Sequence, residues 1–331
     1  MATHDFISND GLFKLKFPLD WTYKLADKQT YRFTPKNGAS DFNISTLDER
    51  ARDVFNKISN NPKSTKRQFS TIQVFELSIE NNQKFNSVIW YFERDNNLFL
   101  GSYTYFANSK GTDGYNNEIK SIADIIGSLK IIEPDKREQR IAWFRFGKFT
   151  ESIAAADELY MRAAEKGCFI ECVCLLANLI DGRLRIANIL YDQIQNNESK
   201  MNLSLVYQGE NDKKITEKDI YDLSKNKSII NQSIYDDLFK AYNKRNRVIH
   251  RYIISEITTS DILEIAVEYL DIHRKIWQIV YDLETKQMEL GIGMTATVEE
   301  FPKKDIEEME LVIKAALQKK HGGIDFNNLP L

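Results

Sequence analysis

The chain has 331 residues, with 45 Lys and Arg against 48 Asp and Glu, for a net charge of -3. That length suggests two domains, and 42% hydrophobic residues suffice for buried cores. No apolar run reaches the ~18–20 residues of a membrane span. The opening Met1-Ala2-Thr3-His4-Asp5 lacks the basic and apolar regions of a secretory signal. The charge balance argues against a globally basic nucleic-acid coat but leaves room for a local basic site.

Aromatic and β-branched residues dominate the first 133 residues. Strands are predicted over Phe13–Phe17, Thr30–Thr34, Asp41–Thr46, Ile72–Ile79, Val88–Phe92 and Leu98–Phe106. In the run from Ile72 to Ile79, apolar and polar residues roughly alternate, as on a half-buried strand. Asn96-Asn97 reads as a tight hairpin turn between the last two strands. Helices are predicted over Asp48–Ile58 and Tyr115–Ser128, the second with Ile119, Ile122, Ile125, Ile126 and Leu129 on one face. A last strand covers Leu129–Ile132. Hairpins predominate, so the expected architecture is an antiparallel sheet with helices packed on it.

One stretch carries a family signal. Phe13-Lys14-Leu15-Lys16-Phe17-Pro18-Leu19-Asp20-Trp21 is a strand running into Pro-x-x-Trp, and Ile126-Gly127-Ser128-Leu129 lies in the closing segment. This N-terminal part resembles the PsbP-like α/β sandwich families. The resemblance implies binding or assembly and carries over no catalytic residue. Trp21 is expected to plug the core.

The boundary is placed near Glu133-Pro134-Asp135, giving a PsbP-like domain over 1–133 and an all-helical domain over 134–331. Thr150–Lys166 is predicted helical, with Gly167 as its C-cap. Cys168, Cys172 and Cys174 follow at C-x3-C-x-C spacing, with no second cluster to complete a zinc site. They are read as reduced thiols, which, with no export signal, points to the cytoplasm. From Cys168 to Gln195, apolar residues step by three and four without a break, the mark of a central helix. A polar connection covers Asn196–Lys214. Thr216-x-x-Asp219 and Ser233-x-x-Asp236 then resemble capping boxes, the second opening a helix through Arg251. A further helix covers Asp261 to Leu290, and Pro302 opens a final one to Lys320.

The helix opening at Ser233 holds an anomaly. Its apolar seam reads Ile234, Leu238, Ala241/Tyr242, Ile249 and Tyr252, and where a core residue is due stands Arg245. A guanidinium on such a stripe is costly unless it is paired or used. His250 follows five residues on. On a straight helix five positions turn through ~500°, so Arg245 and His250 lie about 140° apart. Asn246 and His250, at i and i+4, share a face.

Arg245-Asn246-x-x-x-His250 is similar to the R-x4–6-H motif of HEPN domains, with a polar residue after the Arg. The likeness spans about 150–290, a helical setting. The resemblance implies an α+β two-domain chain with a C-terminal all-α HEPN-like bundle. It also implies metal-independent endoribonuclease chemistry, as in toxin–antitoxin and phage-defence systems, with no cofactor. Its active site would be composite, formed where two copies of the motif face each other across a homodimer. The residue types suit this. RNA supplies its own 2′-OH nucleophile, histidine is an acid or base near neutrality, and arginine binds phosphate oxygens and holds transition-state charge. Arg245, His250 and Asn246 are the candidate catalytic residues.

From Lys240 to Arg251 there are five basic residues and no acidic one, a local positive field for phosphate. Lys244, Arg247 and Arg251 are the candidate RNA contacts. The same charges also fit a solvated helix end, where they favour the dipole. Asp181 is the natural ion-pair partner for Arg245 and would orient it from behind. His273 reads as a packing residue with a polar tip. The alternative function is a non-catalytic binding or assembly protein, with the helical domain as a dimerisation scaffold. The expected partners are RNA, a second copy, and an antitoxin or sensor partner through the N-terminal domain, with no membrane.

Overall fold

The structure is a computed structural model that describes residues 3–36, 40–80, 84–208, 212–293, 317, 320 and 321. The expected helix from Pro302 to Lys320 falls almost wholly outside the described residues. The chain divides into two compact units, one running to Ile141 and one starting at Ala142.

In the first unit, alternation of apolar and polar residues builds two antiparallel sheets. One is β1 (Thr3–Ile7), β2 (Phe13–Pro18) and β10 (Lys130–Ile131), in the order β1-β2-β10. The other, among the described residues, has seven strands in the order β3-β4-β5-β9-β8-β7-β6. These are β3 (Thr22–Asp27), β4 (Thr30–Thr34), β5 (Asp41–Leu47), β6 (Thr65–Phe69), β7 (Ile72–Glu80), β8 (Phe85–Arg94) and β9 (Asn97–Phe106). Helix α1 (Arg52–Ser59) follows β5, and α2 (Asp113–Gly127) follows β9.

β2 turns Phe13, Leu15 and Phe17 inward and Lys14 and Lys16 outward. The inward side chains share one core with the seven-stranded sheet and with Ile122, Ile125 and Ile126 of α2. The core is largely aromatic, and many of its rings meet edge to face: Phe13 on Phe99 at 5.5 Å, Phe6 on Phe33 at 5.4 Å and Phe17 on Phe33 at 5.3 Å, while Phe92 stacks on Phe99. Such pairs add to plain area burial. Trp21 is buried, as its position after Pro18 predicts. The β8–β9 hairpin turns on Asp95-Asn96, both at positive φ, rather than on Asn96-Asn97. The register pairs Arg94 with Asn97, which leaves the two-residue loop that favours positive φ at both positions.

The sequence pattern misses β1, β3 and β6, and all three are edge strands. β3 and β6 leave nearly every side chain exposed or half-buried, so they carry no inward-outward alternation. Polar, charged edges resist pairing with other chains. That is why they read as loop.

A 3₁₀ turn over Pro134–Lys136 leads into α3 (Arg137–Glu165). This helix starts thirteen residues before the predicted Thr150, because the charged segment around Arg140 forms helix rather than linker. Gly167 beyond it has φ +69°, the left-handed conformation of a helix end. α4 (Phe169–Asn196), α5 (Glu217–Asn226), α6 (Gln232–Arg251) and α7 (Thr259–Leu290) complete the described part of the second unit. α4 is central: it is buried through most of its length and packs along α7. The Thr216–Asp219 capping box forms, and a second forms at Thr258–Asp261. The predicted Ser233–Asp236 box does not. Asn231 caps α6 instead, accepting from the Ile234 N–H at 2.9 Å, so the helix opens before Ser233. The protein is therefore α+β, with N-terminal antiparallel sheets and a C-terminal helical region.

Phe33 contacts the rings of Phe6, Phe17 and Phe42 and is fully buried. Phe33→Ala is expected to cost about 3–5 kcal/mol, read as a lower urea midpoint of the N-terminal unit.

Candidate functional site

α6 follows its helical period inward through Leu238, Ala241 and Val248, all buried. Arg245 lies on the same stripe, four residues after Ala241 and three before Val248. Ile249 and Tyr252, expected in that seam, are exposed at 45% and 39%. The stripe continues to Val248, and the next residue points about 100° away.

The carboxylate that meets Arg245 is Glu217, not Asp181. Arg245 Nη1 donates to Glu217 Oε2 at 2.6 Å, and both side chains are only 15–16% exposed. Glu217 sits in the first turn of α5, oriented by the Thr216–Asp219 box beside it. Its other oxygen accepts from the Tyr221 hydroxyl, one turn further along. The Arg245 guanidinium also lies over the Tyr242 ring at 4.7 Å, and Lys218 lies over the same ring at 4.5 Å. Burial works to lower the Arg245 pKa, but the charge and hydrogen bond of Glu217 outweigh it and raise the value. Arg245 Nε, Asp181 Oδ1 and Tyr269 OH are buried with no hydrogen-bond partner among the described residues. In such surroundings an uncompensated charge is costly.

Asp181 is taken by Arg185 on its own helix, at 2.8 Å. Burial raises its carboxyl above the ordinary range although Arg185 and Arg245 both pull it down. It feels the charge of Arg245 without bonding to it. Arg185 in turn donates to the Leu205 and Ile215 carbonyls at 3.2 and 3.0 Å, which ties the polar connection to α4. Neither Glu217 nor Arg185 stands out in the sequence. The available signal was the i, i+4 spacing of Glu217 and Tyr221 at a capped helix start.

His250, Arg247 and Arg251 are exposed on the last turns of α6. Asn246 is half-buried, with its Oδ1 3.4 Å from Arg245 Nη2, beyond good hydrogen-bond length. Lys244 is drawn away by Glu268 of α7, at 2.6 Å, so its charge is already matched. Within one chain Arg245 therefore faces the interior and His250 faces out. Around His250 the apolar Ile249, Tyr252, Ile253 and Ile254 are exposed, the last two at 93% and 82%.

A second polar cluster lies on α3, α4 and α7. Arg183 donates through Nε to His273 Nε2 and through Nη2 to Asp157, both at 2.8 Å. Burial, reinforced by Arg183, lowers the His273 imidazole from 6.5 to about 4. Its neutral ring accepts from the guanidinium, which is more than the packing role predicted for it. Burial also raises Asp157 and Glu284, with Arg183 opposing it in each case.

Among the described residues, no group of His, Cys, Asp or Glu is arranged to hold a metal ion, and no helix is long and apolar enough to cross a membrane. All three cysteines are free thiols. Burial raises Cys172 and Cys174 above the ordinary thiol range.

No protein-family model and no curated protein matches the chain. A crystal structure from Bacteroides thetaiotaomicron VPI-5482 is similar over 54% of this chain and 78% of that one, at 14% identity and a TM-score of 0.35. The solution structure of cyanobacterial PsbP (CyanoP) from Synechocystis sp. PCC 6803 is similar over 40% of this chain and 93% of that one, at 12% identity and a TM-score of 0.27. Likeness at this level assigns neither a family nor an activity.

Removing the guanidinium leaves Glu217 buried without its cation. Arg245→Ala is expected to cost about 3 kcal/mol, the low end for breaking a buried pair, measured by chemical denaturation. The His273 cluster sets a pH dependence. Between 6.5 and about 4 the unfolded chain binds a proton that the folded His273 refuses, so stability falls as pH drops through that window. His273→Gln keeps an acceptor for Arg183 without titrating. It is expected to flatten the fall in unfolding free energy between pH 6.5 and 4.

Proposed function

We propose that the helical region is a HEPN-like domain and that the protein is a metal-independent endoribonuclease. In this reading RNA is cleaved by attack of its own 2′-OH, at a composite site formed by two copies of the chain. The observation that carries it is the presentation of His250. It stands exposed beside Arg247 and Arg251, amid the exposed apolar side chains of Ile249, Tyr252, Ile253 and Ile254. Apolar side chains at such exposure are the kind a second copy would cover. The basic ones suit phosphate. Arg245 is held by Glu217, whose other oxygen accepts from Tyr221, and its Nη2 has only a long contact with Asn246. That edge is where a phosphate oxygen would be met. Asn246 lies between Arg245 and His250. The N-terminal unit is read as a PsbP-like module, on the run from Phe13 into Pro18-x-x-Trp21, that senses or binds a partner such as an antitoxin.

A non-catalytic scaffold is the second reading, and a specific observation favours it: Arg245 is already matched by a buried carboxylate. Arg245 variants cannot separate the two readings, because they disturb the fold under either. His250 can, since it is exposed.

The test is cleavage of single-stranded RNA by the purified protein in EDTA. The expected products end in 2′,3′-cyclic phosphate. His250→Ala is expected to slow cleavage at least ~100-fold, the scale of general acid–base catalysis, with an unchanged Tm. Cleavage that persists in His250→Ala, or no cleavage by the wild type, favours the scaffold.

A further inference from the structure

Helix α7 has a second apolar face. Its inner stripe, with Ile262, Tyr269 and Ile276, is buried in the core of the helical unit. Leu263, Val267, Trp277, Tyr281 and Met288 lie on another side and are 40–66% exposed, with Leu270 half-buried among them. Leu263, Leu270 and Trp277 are spaced by seven, as are Tyr281 and Met288, with Val267 two heptads before Tyr281. This is the 3,4 spacing of a coiled-coil seam, with the charged Arg274 and Glu284 at its two remaining positions. α6 does not cover it. It is tied to α7 through Lys244–Glu268 and Asp237–Lys275, and Glu268 and Lys275 lie about 140° round the axis from Leu263 and Leu270.

The two largest residues of this face form a platform. The Trp277 and Tyr281 rings stack at 5.7 Å and 14°, each about half exposed. Exposed Trp and Tyr are the residue types that anchor protein interfaces. The charge around them is acidic. α7 carries seven Asp and Glu against three Lys and Arg. Of the three, Lys275 is engaged by Asp237 and Arg274 by Asp271, and of the seven, Glu268 is engaged by Lys244, which leaves Glu264, Asp282 and Glu289 along one flank of the face.

We propose that the outer face of α7 docks an amphipathic helix with basic flanks, supplied by a different polypeptide. Apolar residues of the incoming helix would enter the seam around Trp277 and Tyr281, and its Lys or Arg would face the acidic flank. Charge decides the occupant. A second α7 would set acidic helix against acidic helix, which disfavours self-pairing. Phosphate surfaces, whether RNA or anionic lipid, are repelled in the same way. The proposal holds whether or not the protein cleaves RNA.

The test uses the full chain and two labelled synthetic 28-residue helical peptides with the same leucine heptad seam. One carries Lys at the flanking positions and the other Glu. Fluorescence anisotropy is expected to give saturable binding of the Lys peptide, at least tenfold tighter than the Glu peptide and weakened by added salt. Trp277→Ser/Tyr281→Ser is expected to weaken it at least tenfold with an unchanged Tm. Val267→Arg, a second exposed change, is expected to act in the same direction. Equal affinity for the two peptides, no binding, or binding untouched by these variants overturns the proposal. So does light scattering that shows a wild-type dimer made monomeric by the double variant, because the occupant is then a second copy.

Discussion

A guanidinium on the inner stripe of a helix is tolerated only where a carboxylate meets it, because a lone buried charge costs more than most single contacts return. In this protein the stripe is that of α6 and the carboxylate is Glu217 of α5. Much else follows from bringing those two helices together. The Thr216–Asp219 box fixes where α5 begins and so where Glu217 stands. Tyr221 holds the second carboxylate oxygen. Ser224, one turn further, joins Asn188 of α4 at 2.7 Å. Arg185 fastens the connection that leads into α5. The interior of the helical unit is thus apolar around a small polar spine, and the spine sets the register of α5 against α4 and α6.

The same arrangement divides the labour on α6. Arg245 is paired inwardly with Glu217 while His250, Arg247 and Arg251 are left outward. A helix cannot present positions i and i+5 on one face. Any chemistry that needs both side chains therefore needs a second helix, and the exposed apolar residues beside His250 suit that requirement. The N-terminal unit is stabilised differently. Its two sheets and α2 close over aromatic rings, many of which meet edge to face, and its ion pairs, such as Arg67 with Glu76 at 2.9 Å, lie beside that core.

Most of the architecture was legible because it is periodic. Interior strands such as β4 and β9 alternate, and α4 keeps an unbroken 3,4 pattern. What failed to show is what periodicity does not encode. β3 and β6 are polar, exposed edges, and β1 is a five-residue edge strand whose inward alternation rests on His4 and Phe6 alone. The first half of α3 is charged enough to resemble linker. In the candidate site, the oddity of Arg245 was visible from its place in the seam, but its partner was assigned to Asp181. Asp181 is close enough to feel Arg245, yet Arg185 lies one turn away on the same helix and takes it first.

The sequence by itself determined the two-part character of the chain, the apolar faces of its helices and interior strands, and the placing of an arginine where a core residue belongs. Those are local properties, written in spacing and residue type. Only the tertiary structure decided which carboxylate serves Arg245, that Lys244 is spent on Glu268, that burial, reinforced by Arg183, lowers the His273 imidazole, and that Val248 rather than Ile249 closes the stripe. Each is a choice among partners distant in sequence. It is settled by which helix faces pack together and by how much water that packing removes, and neither quantity can be read from one segment alone.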